Sequence, residues 1–571
     1  MTIVVRPAGD MSRTQRFIRI TATVALLFAT LDRSLAAQSL RGAVRDSAGH
    51  QPIVGAVVML LDSSGTVLSR NISDERGQYR IALTDAARSA RVVRIGFQPR
   101  AMPLPSTPDR AAAFDVGMVR VSTMLTAVRI LARSDCPRRR DDTAALGLWE
   151  QARAGLLATV VAREANPASM ELLVFDRRLE HFSDRITHFS VDVRTADRAD
   201  NSFIASFSAN AFVNSGFATD SDGTQLLFGP DADVLLDEAF ATAYCFRLAE
   251  PSPARPRQVG LAFAPARRQG DRVDIDGTLW VDTAARALSD IEFRYLGLPP
   301  YTDAFNPGGR ISFRQMPNGI VLVDRWQLRG VGPGKDTRPD AADSIKLKQL
   351  APMEFGGELA RATWPHGLTW HASLASVRIH AATSAGEAAA GTVIALRETH
   401  YRGTADAHGD ALIDDLLPGP YWLQIADPRL AELGIAIPTT TTFVAVRDST
   451  VRTTVRVPTA EEYVTGRCVD AHQWNAGASW VILGRIVTSD GESVNGARVS
   501  YAIQRGPVEW SSLNETYFTA SDGIFQECNQ GLNVGSTVRL RVQRRGLADV
   551  DTTVTLAAKL TVVRVRVPAA P

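Results

Sequence analysis

Nine histidines and four cysteines are the residues of this 571-residue chain with the most reactive chemistry to offer. A zinc peptidase needs His and Glu ligands at helix or strand spacing, with a general base beside them. His50, His181, His188, His366, His371, His380, His400, His408 and His472 nowhere form H-x-x-E or H-E-x-x-H. His366 and His371 stand five residues apart, which suits neither one helix face nor one strand face. There is no G-x-S-x-G elbow and no C-x-x-C pair. The stretch GVGPGKDT (330–337) is one residue too short between its glycines for a phosphate loop. It also carries Asp336 where Ser or Thr is required, and it follows no βαβ pattern. No catalytic residue is expected from these patterns.

Carboxylates at alternate positions can collect a hard cation such as Ca²⁺. Asp220, Asp222, Asp231 and Asp233, in DSDGTQLLFGPDADVLLDE, have that spacing. The complete loop with its later glutamate is missing, and D-x-D-G is ordinary turn chemistry. Calcium near Asp220 and Asp222 is therefore the one cofactor left open. A glycosidase pair depends on a carboxylate separation that sequence does not show. Cys136, Cys245, Cys468 and Cys528 lie far apart with no neighbouring His pair, which excludes metal spacing. As disulfide candidates they allow three pairings, of which Cys136–Cys245 and Cys468–Cys528 are the sequence-local ones.

Disulfides need an oxidising compartment, and the N-terminus reads as an address to one. Arg13, Arg16 and Arg19 precede an apolar run from Ile20 to Thr30, and SLAAQ (34–38) supplies small residues for cleavage. Met11 is a plausible start. The apolar run is too short to span ~30 Å of hydrocarbon, and Asp32 and Arg33 interrupt its far side. We expect a signal peptide over 1–37 and a mature protein without a membrane span. It would be periplasmic, outer-membrane-associated or secreted. Lys+Arg 63 against Asp+Glu 61 leaves no basic excess for nucleic acid.

The elements carrying these residues repeat. NISDERGQYRIAL (71–83) is a turn followed by period-two alternation, the pattern of a hairpin arm. TADAHGDALI (404–413) and TASDGIFQEC (519–528) repeat it. The framework turn glycines are Gly77, Gly409 and Gly523. They follow an earlier glycine (Gly55, Gly391, Gly496) by 22, 18 and 27 residues, as when a surface loop varies and the framework holds. Each unit has about seven short strands, so a sandwich is the natural solution. The second copy keeps its later half best, and its opening strand, LASVRIHAA, is degenerate.

GAVRDSAGHQPIVGAVV, the D-x-x-G turn, YRI and VRIGFQP together resemble the carboxypeptidase regulatory-like domain. That domain is a transthyretin-like, prealbumin-like sandwich of bacterial envelope proteins. The resemblance covers roughly 45% of the chain. It implies fold rather than activity, since in that family the domain is an accessory to the peptidase. VSTMLTAVRILARSDC (121–136) is similar to the linker that precedes the plug of outer-membrane transporters. No plug or barrel pattern follows, which excludes a complete transporter.

The middle region is different. AALGLWEQARAGLLATVVARE has helical period, with Asp142 or Thr143 as N-cap. RVDIDGTLWVD and ALSDIEFRYLGL flank a TAAR turn, and Asn318-Gly319 joins two alternating arms. These predict a helix packed on a bent antiparallel sheet. The GTLWVD hairpin resembles periplasmic half-barrels of the lipoprotein-carrier type, without carrying over any residue. Trp280 and Trp326 are read as core.

The expected fold is mainly β. Three transthyretin-like or Ig-like antiparallel sandwiches (38–122, 366–460, 476–571) flank a central helix-plus-sheet domain (141–360), with a linker at 123–140. The expected function is non-enzymatic binding, spacing or cell-envelope interaction, with an envelope protein, glycan or cell-wall polymer as partner. The alternatives are a hydrolase with its site in the central domain, or a hydrophobic-ligand carrier using the bent sheet.

Overall fold

The computed structural model describes residues 39–105, 113–121, 143–165, 167–180, 183–196, 208–221, 224–267, 272–333, 350–365, 367–426, 428, 430, 437–458, 462, 479–504, 506, 510–530, 533–545, 549–558 and 560–569. The signal segment, the 123–140 linker, Cys136, Cys468, Asp222, His366 and Lys335–Thr337 lie outside them.

The first sandwich contains β1 (Ser39–Asp46), β2 (Val57–Leu61), β3 (Val67–Ile72), β4 (Gln78–Ala82), β5 (Ser89–Val93), β6 (Arg100–Pro103) and β7 (Val116–Met118). One sheet runs β4-β1-β7 and the other β3-β2-β5-β6. β1 is antiparallel to β4 and parallel to β7. In β4 the alternation is literal: Tyr79 and Ile81 are buried, while Gln78, Arg80 and Ala82 are exposed.

The central unit starts with α1 (Thr143–Ala165), β8 (Ser169–Leu179), β9 (Ile186–Ala196), α2 (Ala209–Ser215), β10 (Ala218–Ser221), β11 (Thr224–Leu227), α3 (Ala232–Leu236) and α4 (Glu238–Ala243). It continues through β12 (Tyr244–Leu248), β13 (Gln258–Pro265), β14 (Asp274–Asp282), β15 (Ala287–Leu296), β16 (Gly308–Gln315), β17 (Val321–Pro333), β18 (Leu350–Thr363) and β19 (Thr369–His371). The strands form a ten-stranded antiparallel sheet ordered β12-β13-β14-β15-β16-β17-β18-β8-β9, with β19 also on β18. The hairpin at Asn318-Gly319 joins β16 to β17. The sheet's last hairpin reaches His371, so the seam with the second sandwich falls at 372–374, beyond the expected 360–366.

The second sandwich is β20 (Ala375–Ala382), β21 (Val393–Leu396), β22 (Arg402–Thr404), β23 (Asp410–Leu416), β24 (Gly419–Ala426), β25 (Ile437–Ala445) and β26 (Thr450–Arg456). The third is β27 (Ser479–Thr488), β28 (Arg498–Gln504), β29 (Trp510–Phe518), β30 (Ile524–Gln530), β31 (Thr537–Gln543), β32 (Val550–Thr555) and β33 (Leu560–Val567). Their sheets are β23-β20-β26 with β22-β21-β24-β25, and β30-β27-β33 with β29-β28-β31-β32. Strand for strand this is the order of the first sandwich, including the parallel first-to-last pairing. The degenerate-looking LASVRIHAA forms a complete first strand, because Val377, Ile379 and Ala381 still alternate inward.

The cores run across the domain seams. α1 is covered on two sides and keeps Glu150, Arg153 and Glu164 on a narrow polar strip. Its Leu148, Ala152, Leu156 and Val161 share one cluster with Leu279, Ile291 and Trp326 of the central sheet and Val57, Met59, Val93 and Ile95 of the first sandwich. This explains VVMLL in β2: both faces are buried, one in its own sandwich and one under α1. Phe175, Phe189 and Val191 of the central sheet pack into the core of the second sandwich. Ala426 and Leu430 meet Val481, Leu483 and Leu560 at the junction with the third.

Candidate binding surfaces

The three framework glycines occupy one equivalent turn. Gly77, Gly409 and Gly523 have φ of 71°, 81° and 76°, which only glycine adopts without strain. The carbonyl of each accepts from the first strand of its sandwich: from Val44 N at 2.8 Å, Ala381 N at 2.7 Å and Ile486 N at 2.8 Å. A Cβ there would lie 2.6, 2.5 and 2.5 Å from the Val44, Ala381 and Ile486 carbonyl oxygens. They are framework positions.

A second shared device was not read from the sequence. The buried Ser73 hydroxyl accepts from Ala56 N at 2.8 Å and donates to Ile53 O at 2.7 Å. Thr519 repeats it with Ala497 N at 2.9 Å and Val494 O at 2.6 Å. Ala405 stands at that place in the second sandwich and has no hydroxyl; its backbone makes the shared bonds to Gly391 and Thr392. The signal was a Ser or Thr four residues before the turn glycine in the first and third sandwiches.

The other expected residues are scattered. Asp231 caps α3 by accepting from Val234 N at 2.8 Å, and Asp233 pairs with Arg163 at 2.5 Å. Both are occupied in holding α3, and only the backbone of Asp220 is described. Cys245 lies on the sheet's edge strand β12 and Cys528 on β30, an edge strand of the third sandwich. Both are disulfide-bonded, and no described cysteine is free. Trp326 is core, as read. Trp280 is buried on the opposite face, beneath the Arg255 guanidinium at 4.7 Å, so it belongs to a polar cluster and not to the apolar core.

That cluster belongs to the most developed candidate surface. In β15, Ile291, Phe293 and Tyr295 face the helix, which puts Asp290, Glu292 and Arg294 on the outer face. Asp290, only 1% exposed, accepts both Arg255 guanidinium arms at 3.0 Å, the Ser289 hydroxyl at 2.7 Å and Arg310 at 2.6 Å. Burial alone would push its pKa up. Hydrogen bonds from Arg255 and Ser289, with the charges of Arg310 and Arg255, hold it below the usual carboxylate range. Trp280 Nε1 donates to Glu292 at 3.2 Å. Next along the face, Arg294 grips Asp276 with two bonds of 2.6 and 2.8 Å. Arg329 pairs with Glu354 at 3.3 Å, and burial raises that carboxyl in spite of Arg177 and Arg329.

A cleft of about 750 Å³ opens beside these pairs, lined by Arg294, Asp303, Asn306, Arg310, Gln327 and Arg329. Through Arg310 it adjoins a second cleft of about 450 Å³ at Arg255 and Gln258. Arg255, Arg294, Arg310 and Arg329 are matched by Asp276, Asp290, Glu292 and Glu354, so the surface is dense in donors and acceptors yet balanced in charge. Among the described residues no group of three His, Cys, Asp or Glu is placed to hold a metal ion. The signal for this face was the Asp290, Glu292, Arg294 alternation, which in one strand is indistinguishable from an ordinary solvated face.

No family model matches the chain. No curated protein matches it either. Among solved structures, it is similar to the Bacillus anthracis TIE protein at 10% identity, covering 61% of this chain and 63% of that one, with a TM-score of 0.14. The shaft pilin SpaA of Lactobacillus rhamnosus aligns at 9% identity over 35% of this chain and 99% of its own, with a TM-score of 0.13. A DUF3823 family protein of Bacteroides uniformis aligns at 10% identity over 30% and 88%, with a TM-score of 0.13. At such TM-scores the alignments do not define a shared whole-chain fold. The class stands on this chain's own topology: a mainly β protein of three like-wound sandwiches and one ten-stranded sheet. No described helix is long and apolar enough to cross a membrane.

Proposed function

We propose that this is a non-enzymatic, exported cell-envelope protein that holds three sandwiches at fixed separations and presents a polar sheet face for binding. The observation that carries the reading is the continuity of the apolar cores across all three seams. Tethered domains meet through small polar contacts and move by default, whereas large apolar interfaces fix them. Polar contacts reinforce the seams: Arg447 grips Glu358 at 2.8 and 2.6 Å, and Gln151 of α1 accepts from Gly96 N at 2.6 Å.

The charge-balanced clefts favour a hydroxyl-rich glycan or cell-wall polymer, which needs many hydrogen-bond partners and no net charge. The carrier reading loses its main support, because α1 fills the apolar face where a hydrophobic ligand would sit. Small-angle scattering of the mature protein tests the spacing role. A single rigid profile that a rigid assembly fits is expected, and the profile of flexibly linked beads would refute it. Co-sedimentation with insoluble cell-wall polysaccharide tests the binding role. Arg294→Ala with Gln327→Ala should reduce the bound fraction, and retention equal to the parent would remove this face from consideration.

A further inference from the structure

Guanidinium groups in folded proteins are normally matched by carboxylates wherever they are enclosed. The seam between the first sandwich and the central unit departs from this. A cleft of about 300 Å³ there is lined from one side by Arg94, Phe97 and Arg120, and from the other by Arg286 and Gln315. Three guanidinium groups border it, and Asp46 is the one carboxylate in its lining.

Asp46 is already engaged. It is buried, pairs with Arg120 and accepts from Ala48 N at 3.0 Å. Arg94 reaches only carbonyls, donating Nε to Val54 O and Nη1 to Arg286 O, both at 2.9 Å. Arg286 lies over the Phe97 ring at 5.9 Å. Neither has a carboxylate partner among the described residues. Desolvation and the neighbouring Arg286 charge pull the Arg94 pKa down to about 10.

The arrangement is built rather than loose. Arg94 is tied to the backbone of both units, and the Arg286 stem rests on Gly96, where a Cβ would come within 2.5 Å of it. Gly96 has φ of 84° and is anchored to α1 through Gln151. The turn at Val54-Gly55 abuts the Asn318-Gly319 turn, where a Cβ on Gly319 would meet Val54 Cγ1 at 1.9 Å. Both walls of the cleft are therefore fixed by close backbone approach. Two unneutralised guanidinium groups held in a fixed cleft are a preorganised receptor for an oxyanion.

We propose that the cleft between Arg94 and Arg286 binds a small oxyanion group, carried by a phosphate or a carboxylate, which clamps the first sandwich to the central unit. This goes beyond the glycan-facing surface and does not depend on it. A bound anion would supply the charge the seam lacks, and because both units contribute donors it would favour the docked state.

The test is calorimetric titration of the full mature protein with inorganic phosphate and, separately, acetate, with chloride keeping ionic strength constant. Saturable binding of at least one is expected, with a rise in melting temperature that chloride does not reproduce. Arg286→Gln should weaken binding about tenfold or more, the worth of one charge-assisted contact. In chloride alone the same variant should melt no lower than the parent, because a like charge has gone. Should that variant fail to fold, Arg286→Lys keeps stem and charge but loses the two-pronged donor, and it should bind severalfold more weakly. Neither anion outperforming chloride, or unchanged affinity in the folded variant, would overturn the proposal. Scattering by the apoprotein would stay the same in either case, which separates this failure from failure of the spacing role.

Discussion

Gly523 and Gly496 separate two costs that glycine can relieve. Both have positive φ, 76° and 67°, but a Cβ on Gly523 would lie 2.5 Å from Ile486 O while one on Gly496 meets nothing within 4 Å. Gly496→Ala should cost about 1 kcal/mol, and Gly523→Ala about 2–3 kcal/mol with loss of the Ile486 hydrogen bond. Calorimetry of the third sandwich's transition measures the difference, and equal losses would mean the turn yields freely. Asp290 allows a pH prediction. Its folded pKa lies below the unfolded value of 3.8, so the stability it contributes is fully present above that value. It is lost as pH falls through the lower folded value. Asp290→Asn should cost about 1–3 kcal/mol at neutral pH by leaving Arg255 and Arg310 under-neutralised. It should also flatten the acid limb of the central unit's unfolding curve below pH 3.8; an unchanged acid limb would show that Asp290 is not the group responsible.

α1 is the element on which the assembly turns. Its Gly155 sits where a Cβ would come 2.7 Å from Ile95 Cδ1 and 3.1 Å from Leu288 Cβ, so sandwich, helix and sheet meet at one backbone position. Gly155→Val should leave α1 helical but force the first sandwich off its seat. The expected outcome is faster hydrogen exchange in β2 and β5 and easier proteolysis of the 123–140 linker, with the third sandwich unaffected. Parent-like exchange in β2 would mean that the seam has slack. Strand periodicity was legible in these elements, and so were both central hairpins. The outer face of β2 and β5 was not, because an apolar run buried on both faces looks the same whether its second cover is its own domain or another.

For the molecule as a whole, the cysteines would connect the proposed export to stability. Cys245 and Cys528 are both oxidised on edge strands, and Cys136 and Cys468 are the partners we propose. A non-reduced digest of the exported protein should join Cys136 to Cys245 and Cys468 to Cys528, with the mature chain beginning near Ala37 or Gln38. The Cys468–Cys528 bridge would close a loop of about sixty residues and contribute roughly 4 kcal/mol by the chain-entropy estimate. That is a large share for a sandwich whose net stability is about 5–10 kcal/mol. Free thiols, or the two peptides joined to other partners, would refute the pairing.

Local rules account for what could be read in the chain alone. The turn glycines, the period-two strands, the Asn318-Gly319 hairpin and the three-fold recurrence depend on φ, on alternation and on short-range turn chemistry. All of these are properties of a few adjacent residues. The Asp290 cluster, the Arg94–Arg286 cleft and the cores shared across the seams join residues separated by tens to hundreds of positions, such as Arg94 with Arg286 and Phe175 with Tyr421. Nothing in the neighbourhood of Arg94 distinguishes it from a solvated arginine. Only the tertiary structure decides that it turns toward another domain, because burial and charge balance are set by what packs against a residue and not by what precedes it.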